Sequence, residues 1–422
     1  MFSSQVVGAL LLVALGLAGG AALCFALGQA YWTSVGLRAR KELRASSSLQ
    51  VLSSRWLYSL ALGWIGLAAL MIGGDAVAIK SVYQHYLVTA PPPLHRVIAY
   101  VSDRNGSNDI WLMDEYGHTR ALTFDMANER QPRWSPDGRW IAFLSNREGN
   151  DDIFMMSPEG NLSKQLTHTP EDEDWISWSP DGSELLFTRG GLVGSQLCIL
   201  KLDVIREVAT ADHCIFTSEG KINKPSFSPD GRQIVFNLGH NGHFQLWIVD
   251  RDGSDPRALD RATQSGIAAW SPDGKQIVYR LAADYNKPSD VELIAPDGTS
   301  RRYLRHIEAS QVQANWSPDG KQLCFTSDPS DPPLAEMGRL GVMNADGTGL
   351  KWLDKGENWV YWQAQSWQIE TWDEQDRILY SHKENGQYDL YLANADGSDR
   401  TRLTDTSANE FHAVFSPVSP LQ

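Results

Sequence analysis

Trp134-Ser-Pro-Asp-Gly138 decides the fold, because the chain writes the same five residues four times. They return at Trp178–Gly182, Trp270–Gly274 and Trp316–Gly320. Phe227–Gly231 reads FSPDG, and Phe415-Ser416-Pro417 begins the motif once more. The last four residues are turn chemistry. Proline presets φ at the first corner, aspartate tolerates the second, and glycine supplies the positive φ that follows. The motif reads as a hairpin corner rather than a reactive site.

The flanking residues repeat as well. WIAFLS (Trp140–Ser145) is followed by DIFMM (Asp152–Met156), KQLT (Lys164–Thr167) and WISWSP (Trp175–Pro180). The second of these strands recurs seven times, starting at Asp109, Asp152, Gln196, Gln245, Val291, Arg339 and Asp389. The closing aromatic-Ser-Pro falls at 134, 178, 227, 270, 316 and 415. The last interval is twice the others, so a degenerate copy is expected near Trp367–Trp372, before RILYS (Arg377–Ser381). Four short strands repeated every 40 to 50 residues are the signature of propeller blades, which bury their faces only by stacking. The fold class read from this is all-β, a seven-bladed β-propeller over residues 97–417. The chain enters mid-blade at VIAYVS (Val97–Ser102) and leaves on a lone AVFSP strand (Ala413–Pro417). That last strand is expected to complete the first blade.

WSPDG followed by I-x-F, and LYLANADGS (Leu390–Ser398) followed by RLT (Arg402–Thr404), resemble the WD-like repeats of TolB-type propellers. The resemblance covers about residues 97–417. It implies a periplasmic or cell-envelope module for protein interaction. TolB proper has six blades, which stands as the alternative count. It also has a cleaved signal peptide and an N-terminal α/β domain, where this chain has something else.

Val6 to Gly28 is a run of 23 residues without a charge, and Trp56 to Gly74 is an uncharged run of 19. About 20 apolar residues cross a bilayer core. Tyr31, Trp32, Trp56 and Tyr58 flank the runs as interfacial aromatics. The expectation is a two-helix membrane anchor over 1–80, with spans of about 6–28 and 56–79. Its connecting loop, 31–55, carries Arg38, Arg40, Lys41, Arg44 and Arg55 against Glu42, which places it on the cytoplasmic side. A Pro-rich stalk, 81–96, then leads to an extracytoplasmic propeller. Residues 97–422 hold thirty Lys and Arg against forty-nine Asp and Glu, a net of −19. That balance argues against nucleic acid as a partner. The expected partners are the membrane and an envelope protein, peptide or glycan.

No G-x-S-x-G, P-loop, H-E-x-x-H or paired C-x-x-C motif occurs. His240 and His243 are too few for a zinc site. Asp250–Asp255 resembles the start of a calcium loop but reads as a hairpin turn. Cys198, Cys214 and Cys324 are expected as buried thiols, with a Cys198–Cys214 pair as the alternative in an oxidising compartment.

Two constellations stand out. Glu129, Glu173 and Glu410 each follow a Leu-Thr by six residues and precede Trp134, Trp178 or Phe415 by five. With Asp172 and Asp174 they are expected to ring one channel mouth, opposite the SPDG turns, and to attract Ca2+ or a basic peptide. The second is the aromatic run around Trp359 and Trp362, a candidate binding platform. The function expected is non-enzymatic binding. The alternatives are a metal-dependent lyase or hydrolase using Glu129, Glu173 and Glu410, or a sensor ectodomain.

Overall fold

The computed structural model describes residues 96–417 apart from short interruptions, the longest being 327–339 and 354–371. The chain divides into two units, Met1–Ala90 and Pro91–Gln422. Both predicted spans, the loop between them and nearly all of the stalk lie outside the described residues. Among the described residues no helix is long and apolar enough to cross a membrane.

The second unit is a ring of seven antiparallel sheets. The first joins the two ends of the domain in the order β27 (Glu410–Phe415), β1 (Ile98–Ser102), β2 (Asp109–Met113), β3 (Thr119–Ala121). The next five follow the chain, each running from the innermost strand outward. They are β4 (Glu129–Trp134), β5 (Ile141–Ser145), β6 (Asp152–Met156), β7 (Lys164–Gln165); then β8 (Glu173–Trp178), β9 (Glu184–Arg189), β10 (Ser195–Asp203), β11 (Val208–Ser218). The fourth is β12 (Lys221–Phe227), β13 (Gln233–His240), β14 (His243–Asp250), β15 (Arg257–Ala258). The fifth is β16 (Ser265–Trp270), β17 (Ile277–Ala282), β18 (Ser289–Ile294), β19 (Arg302–Ile307). The sixth is β20 (Gln313–Trp316), β21 (Gln322–Thr326), β22 (Leu340–Asn344), β23 (Lys351–Trp352). The seventh shows β24 (Arg377–Glu384), β25 (Gln387–Asn394) and β26 (Thr401–Arg402).

The missing motif of the seventh blade is found at Trp372. This residue is fully buried, bridges Ile378 on β24, and donates its indole N–H to Cys324 Sγ on the preceding blade. Asp373 then makes the corner in place of Ser-Pro-Asp-Gly. Its carboxylate accepts the amides of Gln375 and Arg377, and Asp376 takes the positive φ that glycine supplies elsewhere.

Seven apolar clusters, each spanning two adjacent sheets, fill the ring. Val414 and Trp134 meet between the first and second blades, and Leu379 and Phe415 between the seventh and first. This explains why strands such as IAFLS are apolar on both parities: both faces are covered. Closure is by β27, which pairs with β1 through Ile98 opposite Phe415.

The SPDG corners form as expected, with an addition from the serine. Ser135 is buried; its amide donates to the Trp140 carbonyl and its hydroxyl donates to Asp137 Oδ1 at 2.6 Å. The same hydroxyl accepts the Trp140 amide at 3.0 Å. Gly138 sits at φ 71°. Asp250–Ser254 is likewise a plain turn, in which Asp252 caps Ser254.

One expectation is corrected. Cys198 and Cys214 are not separate thiols but a disulfide, across a directly opposed pair of β10 and β11. Antiparallel pairing brings such residues into bonding range, a register that their spacing of 16 does not reveal. Cys324 remains a buried free thiol.

Candidate functional site

The innermost strands line the axial channel, and a β-bulge shapes each of four of them. Gln131 and Pro132 together oppose Phe143; Trp175 and Ile176 oppose Phe187; Lys224 and Pro225 oppose Phe236; His412 and Ala413 oppose Tyr100. The first residue of each pair has a positive φ, between 53° and 55°. Non-glycine residues rarely hold that conformation, at a cost of order 1–3 kcal/mol each, and it clusters where proteins present side chains for use. A bulge re-aims the side chain it carries. The aromatic opposite it is fully buried in all four blades and fixes the level.

In the fifth blade the bulge is displaced by one residue, and Arg280 on β17 stands opposite it. Arg280 is buried. Lys224 Nζ lies 5.3 Å from the centre of the Trp175 ring. Lys224 keeps partial contact with the channel but protein atoms enclose it. Burial, reinforced by the charge of Arg280, holds its ammonium well below the usual lysine range, while Asp174 pulls the other way. Asp174 also ties β4 to β8: its Oδ1 accepts from Arg130 Nη1 at 2.9 Å, Gln131 Nε2 at 2.7 Å and the Trp175 amide at 2.9 Å. Arg130 reaches Asp151 as well, at 2.6 Å. Burial works against its charge, but Asp174 and Asp151 outweigh it and raise its pKa.

At the SPDG end the channel opens into a cavity of about 390 Å³. Its wall is built from the repeat itself: Trp134, Trp178, Phe227 and Trp270 with Pro136, Pro180, Pro229, Pro272 and Pro417. Ser177 and Ser226 line it further in. Among the described residues Ser226 Oγ has no hydrogen-bond partner, and neither does Asn223 Oδ1 or Trp175 Nε1. Unsatisfied polar atoms on the inner strands are where a ligand finds hydrogen bonds.

The residues picked out by the repeat alignment have a different role from the one expected. Glu129, Glu173 and Glu410 are fully buried and do not form an exposed rim. Each is neutralised inside its own blade by an arginine at the end of the next strand. Arg147 reaches Glu129 at 3.1 Å, Arg189 reaches Glu173 at 2.9 Å, and Arg104 reaches Glu410 at 2.9 Å. Ser145, Thr167 and Thr406 also donate to them. Burial pushes all three carboxyls above their ordinary pKa, with these donors opposing it. Asp172 is exposed and accepts the Asp151 amide, while Asp174 belongs to the channel network. Among the described residues no three His, Cys, Asp or Glu side chains are grouped to hold a metal ion. Trp359 and Trp362 lie outside the described residues.

Lys224, Trp175, Gln131, His412 and Arg280 escaped the sequence reading. Four of them share one place, three residues before the motif aromatic, but no residue type that would mark it. Only Arg280 lies outside that pattern.

The model of the TolB beta propeller domain matches residues 78–268. An uncharacterized protein of Agrobacterium fabrum, Atu1656, is 36% identical over 96 residues, covering 23% of this chain and 30% of that protein. The uncharacterized peptidase YuxL of Bacillus subtilis is 28% identical over 149 residues, 34% of this chain and 20% of the peptidase. The chain thus spans less than a third of the length of these curated relatives. A solved oligogalacturonate lyase in complex with manganese superposes with a TM-score of 0.57 at 15% identity, over 71% of this chain and 86% of the lyase. That likeness is one of fold.

Proposed function

We propose that the propeller is a non-enzymatic binding module of the cell envelope, held at a membrane by its N-terminal segment, whose axial channel takes up an extended segment of a partner peptide. The observation that carries this reading is the cavity at the SPDG mouth. It is an arc of proline and aromatic faces from five blades that leads to polar atoms with no partner of their own. Flat apolar walls with a few convergent polar groups are the common form of a ligand site. The TolB beta propeller match supports the envelope setting, and the uncharged runs near 6–28 and 56–74 support the anchor. The pairing of Glu129, Glu173 and Glu410 with Arg147, Arg189 and Arg104 favours binding over the enzyme alternative built on those three carboxylates.

Two experiments test the reading. A photo-crosslinking residue placed at Ser226 should capture a peptide or protein partner in intact cells, and one at exposed Tyr303 should not. Equal capture from both positions, or none from Ser226, would overturn channel binding. Protease added to intact spheroplasts should digest the propeller; a shielded domain would overturn the extracytoplasmic placement.

A further inference from the structure

Four large apolar side chains are exposed among the described residues, and two of them stand on one loop. Phe124 keeps 82% of its surface open and Met126 95%. Both lie between β3 and β4, on the face of the ring opposite the SPDG corners. The loop itself is pinned. Leu122, Thr123 and Glu129 at its ends are buried. The Asp125 carbonyl accepts from Ser107 Oγ at 2.9 Å. The Asp125 carboxylate accepts the Ala127 amide at 2.9 Å and meets Arg147 Nη2 at 3.3 Å. The Asn128 amide donates to Asn146 Oδ1 at 2.9 Å. The turn does not call for large apolar residues. At the matching places His168 and Pro170 follow Thr167, and Asp405 and Ser407 follow Thr404. A single exposed apolar residue is ordinary, but an adjacent pair held out by an ordered loop marks a contact surface. The surroundings of the pair are acidic. Arg104, Arg130 and Arg147 are each bound to carboxylates of the propeller. Glu148 stands exposed on the loop that Asn128 touches. Glu171 stands exposed on the next one, which Asn150 joins to it. Among the described residues neither glutamate is paired with a cation.

We infer that the Phe124–Met126 loop is a docking knob for a partner protein that offers an apolar hollow with a basic rim. Phenylalanine is a stiff anchor and methionine an adaptable one. Because the loop is already ordered, binding does not have to order it. Glu148 and Glu171 complement lysine or arginine around the hollow and steer such a partner in. An anionic lipid surface meets the same carboxylates unfavourably. A second copy of the chain, docked by the same face across a two-fold axis, would set acid against acid. The knob lies at the other end of the ring from the mouth cavity, so it stands or falls independently of channel binding.

Photo-crosslinking with the full chain tests this. p-Benzoylphenylalanine in place of Phe124 keeps an aromatic ring and captures what it touches in intact cells. Mass spectrometry should place the adduct at an apolar site of another protein, flanked by Lys or Arg. The same reagent at exposed Tyr303 should not give that adduct. Adding Met126→Ser should lower the yield about fivefold or more, the loss expected for an anchor residue. Adding Glu148→Gln together with Glu171→Gln should also lower it. Unchanged melting midpoints show that these surface variants keep the ring intact. An adduct to lipid, to this chain itself, or to a site without Lys or Arg overturns the inference. The same adduct from Tyr303, a yield indifferent to either set of substitutions, or no adduct at all overturns it too.

Discussion

Arg104 Nη2 donates to Glu410 Oε1 at 2.9 Å across a sequence separation of 306 residues, joining the second strand of a blade to its innermost one. Glu410 is fully buried while Arg104 keeps some water contact. Arg104 also lies over the Trp111 ring at 4.0 Å. The pair is matched in the next two blades by Arg147 with Glu129 and Arg189 with Glu173.

Removing the arginine strands a buried carboxylate, whereas neutralising the acid does not. Arg104→Ala is expected to cost about 3 kcal/mol, the low end for breaking a buried pair, and Glu410→Gln clearly less. The pH dependence follows in sign. Burial raises the Glu410 pKa above its unfolded value, so the fold prefers the protonated acid and loses stability as pH rises through the folded pKa. Without Arg104 that rise is larger. The Arg104→Ala deficit should therefore be greatest at pH 7.5 and shrink toward pH 4.5. Urea unfolding at both values measures it; a deficit independent of pH would remove the electrostatic explanation.

The chain ends close the ring. Deleting Phe411–Gln422 removes most of β27 and uncovers Ile98 and Tyr100, both fully buried. It also takes Val414 and Phe415 from two inter-blade clusters. Several kcal/mol of packing should go, since one large core side chain lost costs about 3–5. The loss should appear as a lower melting midpoint of the whole domain. An unchanged midpoint would show that the ring does not depend on this closure.

Turn chemistry made the ring legible. A Ser-Pro-Asp-Gly corner demands particular residues at particular φ, so its copies stay recognisable, and Asp373 and Asp376 show how far the letters drift while the corner persists. The channel was harder to read. The left-handed bulge residues Gln131, Trp175, Lys224 and His412 share a backbone state but no side-chain type, so no letter marks them. Glu129, Glu173 and Glu410 begin β4, β8 and β27, the innermost strands of their blades. Their burial hangs on arginines two residues past Ser102 and Ser145, or at the end of β9, and that pairing appears only when neighbouring strands are in register.

The corner serine supports its aspartate. Ser179 and the Ser183 amide donate to Asp181, and the Ser179 bond above all lowers its pKa to about 2. A depressed carboxyl contributes stability above its unfolded pKa and loses it as pH falls through the folded one, here between about pH 4 and 2. Ser179→Ala should raise the Asp181 pKa toward the ordinary range and weaken the fold by about 1 kcal/mol at neutral pH. Carboxyl carbon NMR titration follows the first effect and urea unfolding the second. A pKa that stays near 2 in the variant would assign the depression to the backbone amide instead.

The Cys198–Cys214 bond closes a hairpin that is already paired along nine positions of β10 and β11. Its stabilising effect is therefore felt mainly in the unfolded chain, where a loop of this size is worth about 3 kcal/mol. Cys198 is fully buried against Leu185 and Phe187, so its thiol would still pack after reduction. Cys214 is only half-buried and offers the side from which a reductant can attack. Reductant should lower the melting midpoint of the native domain while leaving it folded. Cys198→Ser with Cys214→Ser should match the reduced protein and no longer respond to reductant. If the native midpoint ignores reductant, and thiol labelling finds Cys214 reactive before reductant is added, the bond is not formed in the isolated protein, and the oxidising compartment it would require loses this support.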